Sequence, residues 1–183
     1  FGRKLITHQT GPEGKGIYRV YVEAAMSIDR EIYLGFVLDR STQRVMIVAS
    51  AEGGMEIEDI SASKPGSIVR AMVEPAVGLR EFQCRQIAFK LSIEPKLVQQ
   101  IVRTLQGCYR AFTELDATMV EVNPLVITSD SRVIALDAKM TFDDNALFRH
   151  PQISELRDKS QEDPRESRAA DRGLSYVGLD GNI

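Results

Sequence analysis

The stretch Thr118-Met119-Val120-Glu121-Val122-Asn123-Pro124-Leu125-Val126-Ile127-Thr128, followed by Ser129-Asp130-Ser131 and then Arg132-Val133-Ile134-Ala135-Leu136-Asp137-Ala138-Lys139-Met140, decides how this chain is read. Two runs rich in β-branched and apolar residues flank three turn-forming residues, the pattern of an antiparallel hairpin. If the turn centres on Asp130, residues whose numbers sum to 260 face each other, which pairs Asn123 with Asp137 and Glu121 with Lys139 on one face. Side chains alternate along a strand, so Val120, Val122 and Val126, with Ile134, Leu136 and Ala138, are expected on the other face, against a core.

The polar face of this hairpin carries chemistry. A carboxylate and an amide oxygen opposite one another stand about 4.5–5.5 Å apart at Cβ. Two hard oxygens at that spacing suit Mg²⁺, which takes one or two protein ligands and fills its octahedron with water and substrate phosphates. Lys139 either offers charge to a phosphate or pairs with Glu121 across the strands, and a solvated face with one salt bridge is the plain alternative.

Upstream, Ile17–Glu23, Arg30–Asp39 and Arg44–Ala51 read as strands, the last two joined by the short polar break Arg40–Gln43 into a hairpin. A further short strand is expected at Ser67–Val73. Helices are expected around Glu81–Leu91 and from Pro95 onward, where Leu97, Val98, Ile101, Val102, Leu105, Cys108, Tyr109 and Phe112 fall on one face. Gly107 interrupts that helix at a cost of about 1 kcal/mol, marking either a close approach by another element or a tolerated flaw. Between Ser154 and Arg172 eleven of nineteen residues are charged, and Pro151 and Pro164 each suit the start of a short helix, the second capped by Asp163 and ended by Gly173.

Composition excludes several classes. Of 183 residues 43% are hydrophobic and 27% charged, ordinary globular values, and 23 basic against 26 acidic side chains give a net charge of −3 without a basic stripe. Nucleic acid is a poor partner for such a surface, and no apolar run approaches the ~20 residues that span a bilayer. Cys84 and Cys108 sit among helical apolar residues and read as reduced thiols of a cytosol-like compartment. Position 1 is Phe and the last residues open a new element, so the chain reads as an internal fragment.

Other candidate sites are weaker. Glu23 closing one strand and Glu31 opening the next, with Ala24-Ala25-Met26 between, could offer backbone to an adenine edge and a carboxylate to ribose, or simply form a turn. Gly11, Gly14 and Gly16 lack a Walker pattern and a following helix, and read as a hairpin or loop. Gly53-Gly54 reads first as a tight turn and second as a place where a ligand meets backbone. His8 and His150 have no Cys or His nearby to suggest zinc.

The runs Val22-Glu23-Ala24-Ala25, Arg30 to Gly35, Ala51-Glu52-Gly53-Gly54-Met55-Glu56-Ile57-Glu58, Glu121 to Val126 and Asn145-Ala146-Leu147-Phe148-Arg149 closely resemble the β subunits of ADP-forming succinyl-CoA synthetase and malate-CoA ligase. The likeness extends through Ser160 to Glu166 and Leu179 to Ile183. It implies an α+β ATP-grasp lobe with an antiparallel sheet and packed helices, part of a larger subunit. Residues 1–150 would be a partial ATP-grasp domain, and 151–183 a charged helical connector leading into a carboxy-terminal CoA-ligase domain.

The same resemblance implies ATP and Mg²⁺ as cofactors, with Glu23, Met26 and Glu31 at the nucleotide and Asn123 and Asp137 as the metal ligands. It implies CoA and a dicarboxylate as substrates, malate slightly ahead of succinate, and an α subunit carrying the phosphohistidine. The expected place is the bacterial cytoplasm, or the mitochondrial matrix of a eukaryote. Alone, these residues are expected to show no ligase activity and at best weak nucleotide binding. Asp143-Asp144-Asn145 and Met26 depart from the commoner family pattern and leave ATP against GTP open. The alternatives are an interaction module that keeps the fold, or a related citrate- or acetate-activating ligase.

Overall fold

Alternate residues Ile32, Leu34 and Phe36 are almost wholly buried, and they define the inner face of the central strand β3 (Ile28–Asp39). β3 pairs antiparallel with β4 (Arg44–Ser50) on one side and β6 (Ala117–Thr128) on the other, and β4 pairs with β5 (Ile68–Val73). β7 (Val133–Ala135) and β8 (Ala138–Phe142) both pair with β6, giving the order β5-β4-β3-β6-β7 with β8 beside β6. Register keeps one parity inward: Leu34 faces Ala49 and Val122, and Phe36 faces Ile47 and Val120.

The computed structural model describes residues 2–7, 10–159, 162–174 and 176–178. These fall into two units: Phe1–Ala24 with Pro151–Ile183, and Ala25–His150. His8, Ser160, Gln161 and the closing residues 179–183 lie outside the described residues.

In the unit 25–150, the short helix α1 (Ile57–Ser63) follows β4 and its loop, and helices α2 (Glu81–Lys90) and α3 (Val98–Glu114) cover the inner face of the sheet. α3 buries Val98, Ile101, Val102, Leu105 and Phe112, the apolar stripe that its sequence predicts, after a 3₁₀ turn at Pro95–Leu97. α2 adds Cys84, Ile87 and Ala88. Side chains tie the layers together. Gln100 of α3 donates to the Ser131 carbonyl (3.0 Å) and accepts from the Val133 N–H (3.0 Å). Arg30 donates to the carbonyls of Leu91 and Ser92 at the end of α2, and Gln83 of α2 donates to the Met72 carbonyl (3.2 Å). Both cysteines are free, and burial pushes each thiol up to about 11, which leaves them protonated at neutral pH.

In the other unit, β1 (Lys4–Leu5) and β2 (Lys15–Gly16) form a small ribbon around the turn at residues 10–13, so the glycines there serve a loop. Pro151–Ser154 (α4) and Pro164–Ala170 (α5) are short helices, and Asp163 caps α5 by accepting from the Arg165 N–H (2.7 Å).

Four sequence expectations are corrected. Ile17–Glu23 is not a strand: it has the β-branched composition of one, but beyond the Ile17 N–H bond to the Arg3 carbonyl (2.9 Å) no ladder runs along it among the described residues, and Tyr18, Val20, Tyr21 and Val22 stand exposed. Glu31 therefore does not open a strand but lies three residues inside β3. The second arm of the main hairpin is broken, with Leu136 and Asp137 outside β7 and β8. Finally, Val126 and its partner Ile134 take the outer face, because β6 gains one residue between Val122 and Leu125 relative to β3. That bulge holds Pro124, which has no N–H to give a ladder. Beyond it Leu125 and Ile127 face the core, while Leu136 and Ala138 are exposed.

Candidate metal and nucleotide site

The register of the hairpin holds through both irregularities. Leu125 faces Ala135, Glu121 faces Lys139 and Val122 faces Ala138, each pair summing to 260. At the break the Asn123 N–H donates to the Asp137 carbonyl (3.2 Å) and the Leu136 N–H to the Pro124 carbonyl (3.1 Å). Asn123 and Asp137 are therefore direct cross-strand neighbours, set where the bulge on one arm meets the interruption on the other. A bulge re-aims side chains and loosens the ladder, which explains why this pair stands clear of the core. Asp137 is exposed and Asn123 half-buried.

Asn123 does a second job that the sequence pattern does not reveal. Its Oδ1 accepts from the Gly54 N–H (2.9 Å) and its Nδ2 donates to the Met55 carbonyl (3.0 Å). The two bonds fix the orientation of the amide and clamp the loop that follows β4. Gly53 in that loop lies so close to β3 that a Cβ there would meet Ile32 N at 2.5 Å and the Glu31 carbonyl carbon at 2.7 Å. Gly54 has a φ of +70° and lies beneath the Glu31 carboxylate, where a side chain would collide with Oε2. The pair thus makes the tight turn that the sequence reads first, and Gly53 also lets the loop seat directly on the β3 backbone.

Asn123, the Gly53–Met55 loop and Glu31 consequently belong to one neighbourhood. Met26 lies half-buried before β3, and Glu23 is exposed in the other unit. Asp137 Oδ1 accepts from the Ala138 N–H (2.9 Å), which leaves Oδ2 open, and Asn123 Oδ1 keeps one lone pair. This donor set fits a hard cation held by two oxygens and completed by solvent and phosphate. Among the described residues no group of three or more His, Cys, Asp or Glu assembles a closed metal cage.

Further along the same face the Tyr33 hydroxyl donates to Glu121 Oε2 (3.2 Å). Burial and the Glu121 carboxylate, with Glu58 and Glu56 nearby, push the phenol well above its ordinary range, so it stays a donor. The ring crosses β3 above Gly35, where a Cβ would stand 3.0 Å from the Tyr33 oxygen.

The end of this unit is pinned by Asp116, which accepts two 2.6 Å bonds from Arg149 and lies 2.6 Å from His150 Nε2. The Arg149 and His150 bonds hold its carboxyl down at about 2. His150 is thus bound to the Asp116 carboxylate through Nε2.

An antiparallel sheet backed by helices, with a glycine loop and two hard oxygen donors on its open face, is an architecture open to a bound ligand on that face. The chain belongs to the ATP-grasp domain family, whose model matches residues 1–127. Among individual proteins it is 63% identical over 182 residues to the probable malate–CoA ligase subunit beta of Mesorhizobium japonicum. It is 51% and 52% identical to the ADP-forming succinate–CoA ligase beta subunits of Koribacter versatilis and an Exiguobacterium species. Each alignment covers 100% of this chain but only 46–47% of the relative, so the chain spans about half the length of the curated relatives it matches. Among solved structures, ATP citrate lyase from Methanothrix soehngenii in complex with citrate and coenzyme A aligns with a TM-score of 0.58 at 16% identity, covering 81% of this chain and 34% of that one. That likeness concerns the fold. No helix among the described residues is long and apolar enough to cross a membrane.

Proposed function

We propose that this chain is the nucleotide- and Mg²⁺-binding part of the β subunit of an ADP-forming dicarboxylate–CoA ligase, which joins an acid to CoA while ATP becomes ADP and phosphate. The observation that carries the reading is the cross-strand pair Asn123–Asp137, two hard oxygens on the open face of a sheet whose relatives are named as such subunits. The higher identity to a malate–CoA ligase subunit than to the succinate enzymes favours malate as the acid.

In this reading residues 1–150 serve the ATP-grasp domain, and 151–183 lead toward a carboxy-terminal ligase domain. Asn123 Oδ1 and Asp137 Oδ2 would hold Mg²⁺, which when bound neutralises charge on phosphate oxygens. Asn123 also orients the Gly53–Met55 loop, whose glycines leave backbone open on the same face. By the resemblance, Glu23, the Met26 backbone and Glu31 would each belong to the nucleotide-contacting segment. A partner subunit would bring the phosphorylated histidine, and the compartment would be the bacterial cytoplasm or the mitochondrial matrix.

Calorimetric titration of the full-length protein with ATP and excess Mg²⁺ tests the assignment. Asp137→Ala should weaken binding at least about tenfold, the loss of ~1.4 kcal/mol or more, and chelating Mg²⁺ from the parent should have a similar effect. Equal affinity of parent and variant would remove the metal from this pair. ADP release coupled to malate or succinate in turn reads the choice of acid.

A further inference from the structure

Lys139 faces Glu121 in register across β6 and β8, and an ion pair is what such neighbours ordinarily make. The structure has none. Glu121 is instead held from the other side by the Tyr33 hydroxyl, which reaches it across β3. Gly35, the residue of β3 directly opposite Glu121, leaves room for this reach, because a Cβ there would crowd the Tyr33 ring at 3.0–3.4 Å. Lys139 is exposed and makes no hydrogen bond or ion pair among the described residues. A lysine beside a carboxylate yet unpaired is a cation left available.

Its position says for what. Lys139 lies two residues beyond Asp137, about 6–7 Å along the chain, and the residue it faces, Glu121, lies two residues before Asn123, whose N–H bonds the Asp137 carbonyl. A four-carbon stem spans that interval, so the ammonium reaches groups bound at the Asn123–Asp137 pair. Lysine suits such a task, being a compact charge with three rotatable donors that follows phosphate oxygens.

We propose that Lys139 is a phosphate-binding residue of this site and that Tyr33 is a positioning residue which keeps it available by holding Glu121 away. The proposal rests on the reading of Asn123–Asp137 given above and deepens it by naming the residue that meets the phosphate chain of the nucleotide.

The test is titration of the full-length protein with Mg²⁺-ATP, Mg²⁺-ADP, adenosine and inorganic phosphate. Lys139→Met should weaken Mg²⁺-ATP or Mg²⁺-ADP binding by about ten- to a hundredfold, the range of a charge-assisted hydrogen bond. It should leave adenosine unchanged, and Lys139→Arg should restore affinity to within about threefold of the parent. Loss confined to inorganic phosphate, with both nucleotides unaffected, would overturn the nucleotide assignment. Tyr33→Phe should weaken Mg²⁺-ATP binding when Lys139 is present and have no further effect in Lys139→Met. Equal effects of Tyr33→Phe in both backgrounds would remove its positioning role. Lys139 is exposed, so thermal unfolding of its variants should match the parent. If Lys139→Met binds both nucleotides like the parent while Asp137→Ala loses Mg²⁺-ATP, the lysine assignment falls and the metal reading stands. If both variants bind like the parent, the metal reading falls as well.

Discussion

Replacing Gly53 with alanine should damage both the fold and the site, and the structure sets the size of the effect. The added Cβ would lie 2.5–2.8 Å from Ile32 N, the Glu31 carbonyl carbon and the Ile32 carbonyl carbon. These are backbone atoms of the central strand, flanked on both sides by hydrogen-bonded neighbours, so they cannot give way. Restoring an ordinary contact of ~3.5 Å requires the loop to retreat by about 1 Å. That movement would stretch the 2.9 Å Gly54–Asn123 bond beyond hydrogen-bonding range and strain the Met55 bond with it. Overpacking costs ~1–3 kcal/mol and each lost bond ~0.5–1.5 kcal/mol, giving a total of roughly 2–6 kcal/mol when both bonds go. Urea denaturation followed by circular dichroism should show this loss, and Mg²⁺-ATP affinity of the full-length protein should fall with it. A Gly53→Ala protein within ~0.5 kcal/mol of the parent, binding nucleotide normally, would refute the claim that the loop is seated on β3 and clamped by Asn123.

Other expectations follow from the same contacts. Gly107→Ala should stabilise the chain by about 1 kcal/mol in the same denaturation experiment, since an added Cβ meets nothing within 4 Å and helix propensity alone remains. Asp116 has a folded pKa held at about 2, below its unfolded value near 4, so its stabilising contribution is complete above about pH 4 and is lost as pH falls through 2. Asp116→Asn should therefore flatten the unfolding curve between pH 4 and 2, and a carboxyl titration by NMR should place Asp116 near 2. Asp163→Ala should remove the cap of α5 and loosen its first turn, visible as faster amide exchange at Arg165.

How far the sequence could be read depended on whether a feature was local. The hairpin register followed from a turn of three residues, and the helices from an apolar period, both written in neighbouring positions. Ile17–Glu23 misled because composition records the propensity for a strand, whereas a strand also needs a partner along its length. The outward turn of Val126 was legible in principle: a proline inside a strand signals a bulge, and a bulge reverses parity. The Asn123 clamp on Gly54 and Met55, and the Tyr33–Glu121 bond, join residues 68 to 88 positions apart and had no local signal. The Asn123–Asp137 pairing was thus visible as a spacing, while the loop that Asn123 steadies and the lysine left free beside it became visible only in three dimensions.

The bond from Gln83 to the Met72 carbonyl has a meaning for the molecule in a crowded solution. β5 ends the sheet, and a terminal strand with open amide and carbonyl groups invites a stranger to add itself and begin a fibril. Here a side chain from the overlying helix occupies one of those acceptors, and the charged Arg70 stands exposed on the same strand. The rim is thereby made a poorer template for the addition of a foreign strand.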